Sequence, residues 1–237
     1  MIESDAIVLA AGKQTRYGLE ESKLMARIDQ QPAFYFTINN ILKVIPEEFI
    51  TVVSSALFQD FNDYITNCYQ KVNLTMDATP GSGSAQSLKS SLPWKSENVF
   101  VTEGNIYYES YLVAQLFQMM SMNSHLVAVL SVTPKVEVAS THRKVVNGVT
   151  LDLTGGVAET TKHYKNMGAY VLNHSFQEYI DQCPDVIAVL NYLNLSGFPV
   201  TALNYYGPYL HIETPKDVAS WKSHLLRGKK NTTEEKN

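Results

Sequence analysis

Cysteine is scarce. The chain holds two in 237 residues, Cys68 and Cys183, far apart. That excludes a disulfide framework and a cysteine-based zinc site. No apolar run approaches the length of a membrane span. The first residues carry no basic segment followed by an apolar one, so no signal peptide is expected and the cytoplasm is the expected compartment. Cations are outnumbered, 19 against 23 acidic residues, for a net charge of -4. A generic nucleic-acid surface needs a basic face and is not expected. The six histidines are scattered without metal spacing. No P-loop, no H-E-x-x-H and no nucleophile elbow occurs, and no internal repeat.

What is present is a sizeable apolar fraction, 45%, in an alternating order. Strand-like runs fall at 6–10, 49–54, 72–76, 98–102, 126–132 and 168–172. Helical spacing falls at 33–44, 57–69, 85–92 and 111–122, and 176–195 reads mainly helical. Short strands follow at 200–203 and 209–212, then a last helix at 215–226. Strand–helix alternation with short links predicts an α/β fold: a three-layer α/β/α sandwich on a mixed, mostly parallel sheet. Asn147-Gly148, between 144–146 and 149–153, is the strongest hairpin signal. One domain is expected over 1–227, with a small elaboration at 143–173 and a disordered polar tail at 228–237.

The stretch from Asp5 to Lys23 carries most of the chemistry. An apolar strand ends in Ala10, Ala11 and Gly12. Small residues leave backbone N–H groups open to a phosphate. Arg16 and Lys23 follow in the same loop, two cations able to neutralise a polyphosphate.

These residues, LAAGKQTR followed by SK, resemble the signature of nucleotidyltransferases of the nucleotide-diphosphosugar (GT-A-like) fold. That group includes sugar-1-phosphate nucleotidylyltransferases, phosphocholine cytidylyltransferases and MobA-like enzymes. Ser22 stands where the family often has proline. The resemblance implies that Leu9, Ala10, Ala11, Gly12, Lys13, Gln14 and Thr15 form the nucleotide's phosphate turn. It places Arg16 on the leaving pyrophosphate and Lys23 on the α-phosphate. In-line attack of one phosphate on another joins two anions, so charge compensation and alignment supply most of the catalysis.

Gly81, Ser82, Gly83 and Ala85 resemble the family's G-T-G-x-A loop, which implies a role along the nucleobase. On residues alone, Ser82 or Ser84 would cap the helix that follows. The segment NVFVTEGN resembles the strand that ends in the family's metal-binding aspartate. Asn105 occupies that position, and Glu103 lies two residues earlier. HIETPKD resembles the family's I-D-T-P-E-D, with Glu213 at the second aspartate. The resemblance therefore implies Mg²⁺ held by Asn105 and Glu213, with Glu103 able to add charge. Thr214 and Asp217 read as a helix cap and its third residue. Lys162, favoured over Lys165, matches the segment where a cation meets the acceptor phosphate, ahead of Gly168 and Tyr170. His211 reads as a strand residue. Tyr107, Tyr108, Tyr205 and Tyr206 read as packing or as a pocket wall.

The implied reaction moves a nucleoside monophosphate from an NTP, CTP or UTP favoured, to a phosphorylated small-molecule acceptor, as in nucleotide-sugar biosynthesis. The acceptor is a sugar phosphate or an amino-alcohol phosphate, and pyrophosphate leaves. A catalytically degenerate nucleotide-binding relative and a glycosyltransferase on the same fold are the alternatives. Neither nucleic acid nor membrane is expected as a partner, and a homodimer is compatible with the chain.

Overall fold

The computed structural model describes residues 1–12, 22–133, 145–147 and 163–221. Twelve strands and six α-helices follow one another through these residues, the last helix over 215–221. β1 (Ala6–Leu9) is followed by β2 (Arg27–Ile28), β3 (Gln31–Pro32) and α1 (Ala33–Leu42). Next come β4 (Ile50–Ser54), α2 (Gln59–Cys68), β5 (Asn73–Met76) and α3 (Ser84–Lys89). Then come β6 (Asn98–Glu103), β7 (Ile106–Tyr107), α4 (Tyr111–Met122), β8 (Ala128–Thr133) and β9 (Val145–Asn147). The chain continues through β10 (His163–Asn173), α5 (Val186–Leu195), β11 (Val200–Asn204) and β12 (Leu210–His211).

The central sheet has the order β11-β8-β10-β6-β1-β4-β5, with β9 paired to β10. Neighbours are parallel except around β10, which runs against β6, β8 and β9. Period-2 alternation divides the strand side chains between two faces. Ala6, Val8, Val52 and Phe100 pack with Phe34 and Ile38 of α1, Phe61 of α2 and Leu116 of α4. Ile7, Val101, Leu130 and Leu172 pack with Leu88 of α3 and Val189 and Leu193 of α5. The expected three layers are therefore formed. Each fully buried aliphatic side chain contributes roughly 1.5–3 kcal/mol to that cohesion.

Two elements differ from the sequence expectation, and others reach beyond the described residues. The helical reading of 176–195 divides into a 3-10 turn (His174–Tyr179) and α5. Pro184 lies between them and has no N–H to carry a helix through. Val145–Asn147 pairs with His163–Lys165, opposite the start of β10. The 149–153 half of the expected hairpin lies outside the described residues. So does the tail at 228–237, and the last helix is described over 215–221. The β2–β3 hairpin was not anticipated. Its turn places Asp29 and Gln30 at positive φ, 48° and 69°, without a glycine to signal it.

A third apolar cluster ties the end of the described chain to its beginning. Trp221 is buried with Ile28, Ala33 and Ile212, and its ring meets those of Phe36 (5.9 Å) and Tyr107 (5.5 Å). This cluster fixes the β7–β12 ladder beside the β2–β3 hairpin.

Candidate functional site

The chain runs from β1 outward to β4 and β5, then returns to β6 on the other side of β1. Ligands of open α/β sheets bind at the carboxyl ends of strands where the order reverses in this way. A cleft of about 220 Å³ opens there. Leu9, Ala10, Ala11 and Gly12 line it from the end of β1, and Lys23 and Leu24 from the next described turn. Gly81, Gly83, Ser84 and Ser87 line it from the loop and helix after β5, and Glu103 and Asn105 from the end of β6. Residues expected from three separate motifs thus share one cavity.

Strand geometry shapes the turn expected to bind phosphate. The Ala10 N–H still bonds to the Val53 carbonyl (2.7 Å), and the Leu9 carbonyl accepts from Gly104 (2.9 Å). Beyond them the ladder ends, and among the described residues the Ala11 and Gly12 amides find no acceptor. A Cβ built on Gly12 meets no described atom within 4 Å. Among the described residues nothing in the packing calls for a glycine there. Ser22 explains the departure from proline before Lys23. Its hydroxyl accepts the Leu24 N–H (3.3 Å) and caps the 3-10 turn Lys23–Met25. Asp5, at the head of the motif, serves the fold: its carboxylate accepts the Lys95 and Ser96 N–H groups.

The glycine loop is clamped from α5. Gly83 sits at φ 127°, and a Cβ there would collide with the Pro184 carbonyl. That carbonyl accepts the Ala85 N–H (2.9 Å). The Asp185 carboxylate accepts the Ser84 N–H (3.3 Å), and the Ser84 hydroxyl accepts the Val186 N–H (2.9 Å). The two helix starts thereby satisfy each other. This corrects the expected cap: neither Ser82 nor Ser84 caps α3 itself, and Ser82 instead donates to the Thr79 carbonyl (2.7 Å). Ser87 donates its proton to the buried Asp77 carboxylate (2.6 Å), so its oxygen has lone pairs left to accept from a ligand in the cleft. Ser87 was not anticipated. Its spacing, one helical turn past Gly83, was the available signal.

The third wall is built around Asn105. From α1, Thr37 donates to the Gly104 and Ile106 carbonyls (3.2 and 2.5 Å), and Asn40 to that of Tyr108 (2.6 Å). The Asn105 amide donates to the Ile212 carbonyl (2.7 Å), while the Ile212 N–H bonds back to the Asn105 carbonyl (2.9 Å). A carboxylate has no hydrogen for the first of these bonds, which accounts for asparagine at this position. Glu103 rests on Gly168. That residue lies in the β10 irregularity at φ 74°, and a Cβ on it would stand 3.0 Å from the Glu103 carboxyl carbon. Glu103 also helps to raise the Tyr170 phenol above its ordinary range, although burial is the larger cause.

Glu213 does not line the cleft. It faces His211 Nδ1 at 3.4 Å, and Glu103 faces His211 Nε2 at 3.4 Å. The Asp217 carboxylate accepts the Glu213 and Thr214 N–H groups (3.0 and 2.7 Å) and the Thr214 hydroxyl (2.9 Å), which realises the Asp217 half of the expected cap and fixes Glu213's backbone. Among the described residues, no three acidic, imidazole or thiol groups converge on one point to form an all-protein metal site. The residues expected to share Mg²⁺ are thus neighbours, but Asn105 is turned to Ile212 and an imidazole stands between the two glutamates.

Tyr108 and Tyr205 are core residues, Tyr107 packs on Trp221, and Tyr206 is exposed; none lines the cleft. Lys13, Gln14, Thr15, Arg16 and Lys162 lie outside the described residues. A larger hollow of about 490 Å³ lies at the opposite, amino ends of β8 and β11, lined by Asn123, His125, Asn194 and Thr201 among others. It contains none of the motif residues. Among the described residues no helix is long and apolar enough to cross a membrane.

Residues 6–149 match the family model described as the MobA-like NTP transferase domain. No curated protein sequence matches the chain. Solved structures share its fold at low identity. One is described as the inositol-1-phosphate CTP transferase from T. maritima: 17% identity, TM-score 0.71, covering 93% of this chain and 95% of that one. A putative glucose-1-phosphate thymidylyltransferase from Bacillus anthracis has 15% identity and a TM-score of 0.69, covering 92% and 94%. A UDP-glucose pyrophosphorylase from Acinetobacter baumanii has 13% identity and a TM-score of 0.69, covering 99% and 100%.

Proposed function

Because the chain belongs to the family of MobA-like NTP transferase domains and is a nucleotidyltransferase, we propose that it moves a nucleoside monophosphate from an NTP to a phosphorylated small-molecule acceptor. The observation that carries this reading is the shared cleft. It joins the Ala11 and Gly12 amides, which find no acceptor among the described residues, with Lys23 and the Gly81–Gly83 loop around about 220 Å³. An anion-binding turn on one wall and a flat glycine loop on another suit a triphosphate and its base.

In the proposed reaction an oxygen of the acceptor phosphate attacks the α-phosphorus. The bond from that phosphorus to the β-phosphate oxygen breaks, and pyrophosphate leaves with the electron pair. The Ala11 and Gly12 amides hold the triphosphate in line, Lys23 neutralises charge at the α-phosphate, and the Gly81–Gly83 loop orients the base. We assign Arg16 to the leaving pyrophosphate and Lys162 to the acceptor phosphate, from their places in the motifs. Mg²⁺ is the ion such a triphosphate ordinarily carries, held chiefly by phosphate oxygens and water. CTP or UTP is the nucleotide we favour. Sugar phosphates and amino-alcohol phosphates are the acceptor classes, and the cytoplasm is the proposed compartment.

One observation favours a second reading, a nucleotide-binding relative without turnover. Asn105 is spent on Ile212, and the two glutamates do not meet around one point. One experiment separates the two. Each of the four NTPs is incubated with Mg²⁺ and a panel of sugar and amino-alcohol phosphates, and pyrophosphate release is followed with mass analysis of the product. Release coupled to an NMP-linked product supports transfer. Triphosphate binding without release supports the silent relative, and transfer from a nucleotide-sugar panel would instead indicate glycosyl transfer.

A further inference from the structure

The HIET segment holds a histidine that the proposed transfer does not use. β12 pairs with β7 so that His211 lies opposite Ile106, the residue after Asn105. Its side chain is 15% exposed and has a carboxylate at each ring nitrogen: Glu103 Oε2 to Nε2 and Glu213 Oε1 to Nδ1, both at 3.4 Å. Neither flank is loose. Glu103 leans on the side-chain-free face of Gly168. The backbone at Glu213 is held by the Asp217 carboxylate, and the reciprocal Asn105–Ile212 bonds lie between His211 and Glu213 in the chain.

A divalent ion shared by two carboxylates needs an oxygen from each at roughly 2.0–2.6 Å, depending on the ion. The space such an ion would take, between Glu103 and Glu213, is where the imidazole stands. We propose that His211 is a positioning residue that joins Glu103 to Glu213 and keeps a divalent ion from being shared by them, so that the ion reaches the cleft only on the triphosphate. The inference deepens the nucleotidyl-transfer reading and rests on it for the ion's route. The exclusion itself is a property of the nucleotide-free protein.

The test uses the full chain without nucleotide and Mn²⁺ alone as probe, with free Mn²⁺ read by electron paramagnetic resonance. Wild-type protein leaves the Mn²⁺ signal essentially free at equimolar concentration. His211→Ala removes the imidazole that stands between the two carboxylates and binds Mn²⁺ at least about tenfold more tightly. Adding Glu213→Gln to that variant abolishes the gain. Circular dichroism verifies the fold, and His211→Ser replaces the alanine variant if that one fails to fold. Stoichiometric Mn²⁺ binding by wild type that is lost in Glu103→Gln or Glu213→Gln overturns the proposal. So does a His211 variant that binds no better than wild type. A parallel titration of CTP with Mg²⁺ or with EDTA reads the triphosphate site separately. If no triphosphate binds, the transfer reading fails while the Mn²⁺ result still decides the role of His211.

Discussion

Gly12→Ala separates what the fold needs from what a ligand needs. The added methyl meets no described atom within 4 Å, and Gly12 lies outside the left-handed region. Removing a glycine from a compatible backbone restricts the unfolded chain and stabilises by about 0.4–1 kcal/mol. The melting temperature of the variant should therefore hold or rise slightly. Its affinity for a triphosphate should fall. A hydrogen bond to a charged group contributes about 1.5–3 kcal/mol, and a Cβ projecting over the Ala11 and Gly12 amides forfeits at least one. That corresponds to a loss of roughly tenfold to a hundredfold in Kd. Calorimetric titration with CTP, UTP, GTP and ATP, alongside thermal unfolding, measures both quantities. Gly83→Ala is the contrast. Its methyl would strike the Pro184 carbonyl at a φ of 127°. Backbone strain of about 1–3 kcal/mol and overpacking of similar size should lower the melting temperature clearly. A Gly12→Ala protein with intact stability and unchanged affinity for every triphosphate would remove the phosphate turn from the account.

Three further outcomes are expected. Lys23→Ala should reduce kcat/KM for pyrophosphate release by roughly a hundredfold with little change in unfolding temperature, because Lys23 lines the cleft and is only half-buried. Asn105→Asp removes the donor to the Ile212 carbonyl and should cost about 1–3 kcal/mol in urea unfolding at neutral pH. Burial beside a carbonyl raises the new carboxyl's pKa in the folded state. The deficit should therefore shrink as the pH falls through that value, because the protonated acid can donate again. Trp221→Ala empties a fully buried position against Phe36 and Tyr107 and should cost about 3–5 kcal/mol, with the β7–β12 ladder the first to lose amide-exchange protection.

Much of the fold could be read from periodicity, because β1, β4, β6 and β8 are short apolar runs and α1 and α4 show plain helical spacing. The antiparallel insertion of β10 could not, since period 2 carries no direction. The break before α5 was carried by Pro184 inside an otherwise helical pattern, a signal outweighed by the apolar residues around it. At the site, the glycine and cation motifs identified the walls of the cleft, because small residues and charges act through local backbone. The relation of His211 to Glu103 and Glu213 depends on the β7–β12 register. That register brings together residues more than a hundred positions apart, and no local pattern announces it. Asn105 was legible as a departure from the family's aspartate, but its reason, the Ile212 carbonyl, lies across the same ladder.

A crystal structure of the chain with CTP or UTP bound places the nucleotide unambiguously. The triphosphate is expected within hydrogen-bond reach of the Ala11 and Gly12 amides and the Lys23 ammonium, with the base along Gly81–Gly83 and near Ser87. A nucleotide seated instead in the hollow beside His125 and Asn194, with the β1 turn empty, would contradict the assignment.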